Sequence, residues 1–497
     1  MNKYLKQYNK VISEKCLKIG ASSMLSPTLC RVEAQSGLFR SIFIKSNSSN
    51  FSFYKILSEN FGFLIKPFRD LIICNSSRSR ILPKDIRNLF ITYCDYRNVT
   101  NTKDWREEIF RGIKPNSENI ILAIPLGRNP KQLNDLNHFI LSCNQKHHIY
   151  SIHSFVKKKY ILKAFFRSII SIKEIFKNIF FVEIKIFDKN LKANILMKLL
   201  KDLSSGRIYS NELYKLLWQR ISNENTIDKI IFPWESQCWE RLLINQFLSK
   251  KTTLIGYQHT GFSYGLLQHF NTPFDNRLKI NPQYIFTAGE VQRDILKKVN
   301  GLKNTKIYKL GSLRCESSIS KKKLLKKLNI SINNIYVCLG YNSINYDLII
   351  NSLKKIKKTI NISVLIHPIN KSYNFRGKLE KNINIVYKRD NEIIKKSDIL
   401  LVDDNSMMIE GWSLNVPTVI LDSDKFGLTK RDWGSPILHI SIDRLSKINS
   451  EIFIKNLRKS ILNYINSEYS EKYFNKINFK KMMNYISNLK NLNEYEV

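Results

Sequence analysis

The chain has 497 residues, too many for one ordinary core and enough for two domains. Hydrophobic residues make up 43% and aromatics 11%, which excludes disorder of the chain as a whole. Lys+Arg number 81 against 41 Asp+Glu, a net charge of +40. Such a balance favours anionic partners, namely nucleic acid, anionic lipid or phosphorylated substrates. A compositional bias towards Lys, Ile and Asn explains the same excess without a partner. The eight cysteines include no C-x-x-C pair and no Cys/His spacing of a zinc site. They read as buried thiols of a reducing compartment. The opening MNKYLKQYNKVISEKCLKIG lacks the apolar core of a signal peptide. No uncharged apolar run reaches the roughly 18 residues of a membrane span. A cytoplasmic location is therefore expected.

Residues 1–80 are rich in Ser and Asn and are expected to form an extension. From Asn88 the pattern sharpens. NLFITYCDYR (Asn88 to Arg97) predicts a strand ending in an acidic turn, NIILAIPLG a second strand, and HHIYSIHSFV (His147 to Val156) a third. Helical stretches lie between them. Alternating strand and helix implies a parallel sheet covered on both faces. Lys157 to Phe181 follows as a basic amphipathic helix. Leu162, Phe165, Phe166, Ile169, Ile172, Phe176 and Ile179 share one face, and seven basic residues stand against Glu174 alone. This pattern suits a membrane surface and equally a core-facing helix with a solvated side.

Asp228 to Gly261 reads as strand, helix, strand, with Glu235 to Leu248 helical, and Tyr284 to Gly301 repeats the theme. The charged run around Glu316 to Asn329 is the expected linker between domains. A second strand-and-helix set runs to about Ile440, and the tail from Ser450 is helical. The expected division is an extension at 1–80, a first domain at 81–315, a second at 330–450, and helices at 451–497 packing back on the first domain.

In open α/β sheets the turns after the strands form the ligand crevice. In the second half these turns hold Asn342, His367-Pro368 in VLIHPIN, and Asp404-Asn405-Ser406 with Glu410 in VDDNSMMIEG. Ser406 and backbone N–H groups at a helix start suit a phosphate, and Ser406 also suits an ordinary N-cap. His367 beside them can face a phosphate or a departing oxyanion, or serve as a capping or core histidine. The first half offers bases at strand ends. His259 in IGYQHTG can take a proton from a hydroxyl. Glu235 in PWE is a second candidate, with a helix N-terminal acid as the plainer alternative. Asp95 is a third, with a turn residue as its alternative. The sequence has no P-loop, no G-x-G-x-x-G after a strand, no G-x-S-x-G and no H-E-x-x-H. A metal site is not expected.

On these residues the chain, from roughly Asn88 to Asp422, resembles bacterial GT-B glycosyltransferases of surface polysaccharide synthesis. PWESQCWERLL followed by IGYQHTGF is similar to proteins of surface carbohydrate biosynthesis. VLIHP and DDNSMMIEG resemble the motifs of sialyl-, polysialyl- and Kdo-transferases, which use CMP-linked acidic sugars. That resemblance implies that His367, Pro368 and Ser406 grip a cytidine nucleotide. IGYQHTG is also similar to a segment of CDP-glycerol glycerophosphotransferases, which implies a base at His259. The implied fold is α/β and GT-B-like, two Rossmann-like domains facing across a cleft. The implied activity is metal-independent transfer of a sugar from a nucleotide sugar, with no other cofactor, to a glycan or lipid-linked glycan at the inner membrane. Three alternatives remain: a CDP-glycerol-type phosphotransferase, a basic nucleic-acid binder, and a non-catalytic scaffold. Dispersed lysines and the lack of any nucleic-acid motif argue against the second.

Overall fold

The computed structural model describes residues 3–31, 62–76, 82–313, 321–422, 437–466 and 476–489. Short stretches within those ranges are excepted, at 96–97, 100–104, 127–129, 145–147, 181–184, 187–188, 191, 260–266, 330, 341–345, 368–369, 371–372, 374, 376–378 and 404–406. Two all-parallel sheets follow one another along the chain. The first holds β1 (Asp85–Cys94), β2 (Asn119–Pro125) and β3 (Ile149–Ser151). A separate small hairpin, β4 (Lys185–Ile186) and β5 (Lys189–Asn190), precedes its remaining strands. These are β6 (Thr226–Pro233), β7 (Thr253–Gln258), β8 (Tyr284–Thr287) and β9 (Lys306–Lys309), in the order β3-β2-β1-β6-β7-β8-β9. The second sheet holds β10 (Asn334–Cys338), β11 (Asn361–Leu365), β12 (Ile383–Val386), β13 (Ile399–Val402), β14 (Thr418–Asp422) and β15 (Leu438–Ser441), in the order β12-β11-β10-β13-β14-β15. Both orders are doubly wound. The chain thus has two Rossmann-like domains in tandem, the GT-B-like arrangement.

The strands are near-continuous apolar runs because both sheet faces are covered. In β1, Leu89 and Ile91 join one core cluster while Phe90 joins the cluster on the other face. Phe90 stands in register with Ile121 and Ile231, so each face is built from matched rows. The predicted third strand is shorter than expected. Only Ile149–Ser151 pairs, and a 3-10 turn at Ile152–Phe155 follows, its first N–H groups met by Ser151 Oγ accepting from His153 N at 3.2 Å.

The stretch expected as an N-terminal extension is instead part of the first domain. Helix Lys3–Ile19 and the turn after it place Tyr8, Ile12, Cys16, Leu25 and Leu29 in the first core. Arg31, fully buried, pairs with the equally buried Asp275 at 2.8 Å. Burial works to raise the Asp275 pKa, but the charges of Arg31 and Arg241 and the Thr272 N–H hold it below the usual carboxylate range. Gly62–Ser76 is a second helix in this stretch. The charged run before β10 also belongs to a core: Leu324, in helix Lys321–Lys326, is buried in the second domain.

The C-terminal helices divide. Glu451–Asn466 stays on the second domain, where Tyr464 stacks on Trp412 with ring centroids 3.9 Å apart. The chain then returns: Ile477 N donates to Ser312 O at 3.2 Å, and Phe479–Ser487 packs Met482 and Ile486 against the first sheet. A contact also runs the other way, with Val291 of the first domain packed on the second core.

Candidate functional site

A doubly wound sheet opens a crevice where its strand order reverses, at the carboxyl ends of the two central strands. In the first sheet that point lies between β1 and β6. β1 ends at Cys94 and Asp95, and the Asp95 N–H donates to Asn98 Oδ1 at 2.9 Å. β6 runs to Pro233, and Trp234 N donates to Tyr257 O at 2.9 Å, carrying the chain past the end of β7. Gly256 is required here, because a Cβ on it would meet the Trp234 Cβ at 2.8 Å. Glu235 then reaches His259, the residue just beyond β7, with Oε1 3.7 Å from Nε2. His259 is buried, and Glu235 keeps about a quarter of its side chain exposed, 27%. The structure therefore brings two of the three sequence-predicted bases together and sets Asp95 on the neighbouring strand end.

The helix after β6 starts at Cys238, not at Glu235 as the sequence suggests. The cause is Ser236, whose φ of +54° is left-handed. Arg241 holds that turn by donating to Ser236 O at 3.2 Å and to its Oγ at 3.1 Å. Glu235 is thereby freed from the helix and lies in the turn.

Two residues that sequence reasoning passed over complete the cluster. Glu240, fully buried, accepts the Glu235 N–H on Oε2 at 2.9 Å. Burial and the nearby Glu235 push its carboxyl pKa well up, against the pull of the backbone N–H groups of Glu235, Ser236 and Gln237. Glu240 thus lies beneath the turn with its proton held more tightly than an exposed carboxyl would hold it. Tyr93, from β1, accepts the Trp239 indole N–H at 3.1 Å. Burial, then Glu235 and Glu240, push its phenol well above the ordinary range. The sequence signal was the second glutamate in PWESQCWE, which a helical reading from Glu235 places on a solvated turn.

In the second sheet the reversal lies between β10 and β13. Asp403 N donates to Cys338 O at 2.9 Å, and Asp403 Oδ2 accepts the Gly340 N–H at 3.2 Å. His367, half-buried, follows β11, and its carbonyl accepts the Asn370 N–H at 2.8 Å. The Asn370 amide in turn donates to the Tyr346 hydroxyl at 3.0 Å. Glu410 forms an ion pair with Arg389, from the turn after β12, and Arg389 Nε also donates to Asn391 Oδ1 at 2.7 Å. Asn342, Pro368, Asp404, Asn405 and Ser406 lie outside the described residues. A depression lined by Lys327, Asp398, Pro417 and Arg458 sits at the amino ends of β13 and β14, on the opposite edge from these turns. Among the described residues, no three His, Cys, Asp or Glu side chains are grouped to hold a metal ion.

No protein-family model matches the chain, and no curated protein matches it. Solved structures are similar to it at low identity. A UDP-GlcNAc 2-epimerase from Methanocaldococcus jannaschii matches 81% of this chain and 99% of its own, at 11% identity and a TM-score of 0.42. The Anabaena protein HepE in complex with UDP matches 82% and 100%, at 10% identity and a TM-score of 0.41. The calicheamicin glycosyltransferase CalG4 matches 82% and 98%, at 8% identity and a TM-score of 0.41. A likeness this loose carries no argument about activity. The fold assignment rests on the two strand orders.

Proposed function

We propose that this protein is a glycosyltransferase that moves a sugar from a nucleotide-activated donor to a hydroxyl of a glycan acceptor. One observation carries the reading. A histidine and a glutamate from adjacent strand ends meet at the crevice of a doubly wound sheet, 3.7 Å apart, over a buried carboxyl that fixes the glutamate's turn. His259 takes the proton as the acceptor oxygen bonds to the anomeric carbon. The bond from that carbon to the phosphate oxygen breaks, and the charge stays on the leaving nucleotide. Glu235, with Oε1 3.7 Å from Nε2, favours the imidazolium that results through its charge. Asp95 borders the acceptor. The donor lies on the second sheet, with His367 and residues 404–406 at its phosphate, where N–H and basic groups stabilise the leaving group without a metal.

The sequence resemblance supports a CMP-linked acidic sugar as donor and a lipid-linked surface glycan as acceptor, at the inner face of the membrane. Among the described residues no helix is long and apolar enough to cross a membrane, so attachment would be peripheral. Thermal melting of the full chain with CMP, CDP, UDP and GDP tests the reading. Selective stabilisation by one nucleotide is expected, because a ligand that binds only the folded state raises its stability. Indifference to all four, together with tight and salt-steep nucleic-acid binding, would replace it with the nucleic-acid alternative.

A further inference from the structure

Among the described residues, eight of the fifteen exposed large hydrophobic side chains sit on only two helices. On Gly62–Ser76 they are Leu64, Ile65, Phe68 and Ile72, with Phe68 68% and Ile72 67% exposed. On Lys158–Phe180 they are Leu162, Phe166, Ile169 and Ile170, with Phe166 62% exposed. Each set has the i, i+4, i+8 spacing of one helical face. The single apolar face expected from the sequence of the second helix is split. Ile161, Ala164, Ile175 and Ile179 are buried in the first core, Phe165, Ile172 and Phe176 are half-buried against it, and the remaining apolar residues point outward.

The two helices touch and are fixed. Phe63 and Phe165 rings lie 5.1 Å apart. Gly62 sits so close to the Ser205–Gly206 turn that a Cβ would meet Ser205 O at 2.6 Å. Asp70 ties the first helix down by accepting the Tyr209 hydroxyl at 3.1 Å. The second helix follows β3 directly, so it starts at the carboxyl edge that carries Glu235 and His259. Exposed Lys158, Lys159 and Lys163 mark that start, with Lys173 and Lys177 further along. Lys66, on the first helix beside the Gly206 turn, is pushed down to about 8, chiefly by burial and then by the Arg69 and Arg207 charges.

We propose that the paired outward faces of Gly62–Ser76 and Lys158–Phe180 are a docking surface for an anionic lipid bilayer, with the apolar side chains entering the interface and the lysines meeting the headgroups. An apolar face with a basic flank complements such a surface. A second copy of this chain would bring the same lysines against each other. The proposal deepens the membrane setting given above and is independent of the transfer chemistry, which nucleotide binding reads separately.

The full chain would be floated with vesicles of phosphatidylcholine alone and of phosphatidylcholine with phosphatidylglycerol. Flotation is expected with the anionic vesicles and should weaken as salt is raised. Replacing Lys158, Lys159 and Lys163 together by Ala should lower partitioning about tenfold or more. Phe68→Ser with Phe166→Ser should lower it at least as far, at an unchanged melting temperature. Should that pair unfold the chain, Phe166→Trp gives a second readout: its emission above the wild-type background should be quenched by brominated anionic lipid. Three results would overturn the proposal. They are a wild-type chain that stays soluble with anionic vesicles, a serine pair that floats as well as wild type, or a dimer dissolved by the serine pair while vesicles leave the chain unbound.

Discussion

At the carboxyl edge of the first sheet, buried and half-buried ionisable side chains are gathered together. Tyr93, Glu235 and His259 stand at the ends of neighbouring strands and Glu240 in the first turn of the next helix, and Tyr93 and Glu240 are pushed well up in pKa. At the same edge of the second sheet, the acids are already engaged: Asp403 accepts the Gly340 N–H, and Glu410 pairs with Arg389. The first edge holds groups with altered proton affinity, the feature expected where proton transfer occurs. The second holds the half-buried His367 beside these engaged acids, where the proposed donor phosphate would lie. On the proposed reading one strand order serves two tasks, proton transfer at the first edge and nucleotide binding at the second.

The sharpest way to break this comparison is to disable each edge separately. His259→Ala should lower transfer by about 10²–10⁴-fold, the usual contribution of a general base, and leave stabilisation by the nucleotide intact. His367→Ala should remove the nucleotide's stabilisation and the transfer with it. Initial rates and melting curves on both variants provide the test. If His259→Ala abolishes nucleotide stabilisation and His367→Ala spares it, the assignment of the two edges is reversed.

The next effect concerns what supports the first edge. Arg31→Met leaves Asp275 charged and buried without its partner, which should cost about 3–5 kcal/mol. Chemical denaturation would measure it. A loss below about 1 kcal/mol would mean that the N-terminal stretch is dispensable to the first core.

How far the sequence revealed all this depends on the kind of signal. Apolar runs such as Ile120–Ile124 or Ile399–Val402 announce buried parallel strands, because nothing else in a chain of this size needs so many apolar residues in sequence. Lys3–Ile19 was opaque for the opposite reason. It is polar along most of its length, and its buried residues Tyr8, Ile12, Cys16 and Ile19 form a narrow stripe. His259 and Glu235 were visible as strand-end residues, but their meeting depends on a left-handed Ser236 that no local propensity requires. Glu240 was hidden because an acid in a helix's first turn is ordinary, and only tertiary burial raises its proton affinity.

A smaller effect should appear in the pH dependence of stability. Glu107 lies under β1, where its Oε1 accepts from Thr92 at 2.8 Å and from the Ile109 N–H at 2.9 Å. Burial raises its pKa from 4.5 to about 7, against the pull of those hydrogen bonds. Between these values the folded chain holds a proton that the unfolded chain has released, so stability falls as pH rises. The loss from this group amounts to about 3 kcal/mol. His153 opposes it: burial lowers its pKa to about 4 from 6.5, so the unfolded chain binds the extra proton and stability rises with pH across that window. The two contributions oppose each other between about pH 4.5 and 6.5. Glu107→Gln should therefore lose less stability than the wild type as pH rises from 4.5 to 7, read by urea denaturation at each pH. A variant whose curve keeps the wild-type shape would show that Glu107 is ionised in the fold.

The last expected effect returns to the geometry that joins the two bases. Gly256 lies one strand position before Tyr257, whose carbonyl accepts the Trp234 N–H, and the two close approaches hold the β6 turn against β7. In Gly256→Ala the new methyl would stand 2.8 Å from the Trp234 Cβ, so the backbone or the indole has to shift. Overpacking of this kind costs about 1–3 kcal/mol. The shift is carried by Trp234 directly into Glu235, so activity should fall more than the stability loss alone explains, while nucleotide stabilisation through the second sheet is unchanged. Melting curves and initial rates measured below the variant's transition separate the two contributions. Were the rate to stay at the wild-type level in a destabilised but folded Gly256→Ala chain, the exact placing of Glu235 by this turn would not matter to the reaction, and the Glu235–His259 pair would lose its claim to be the base.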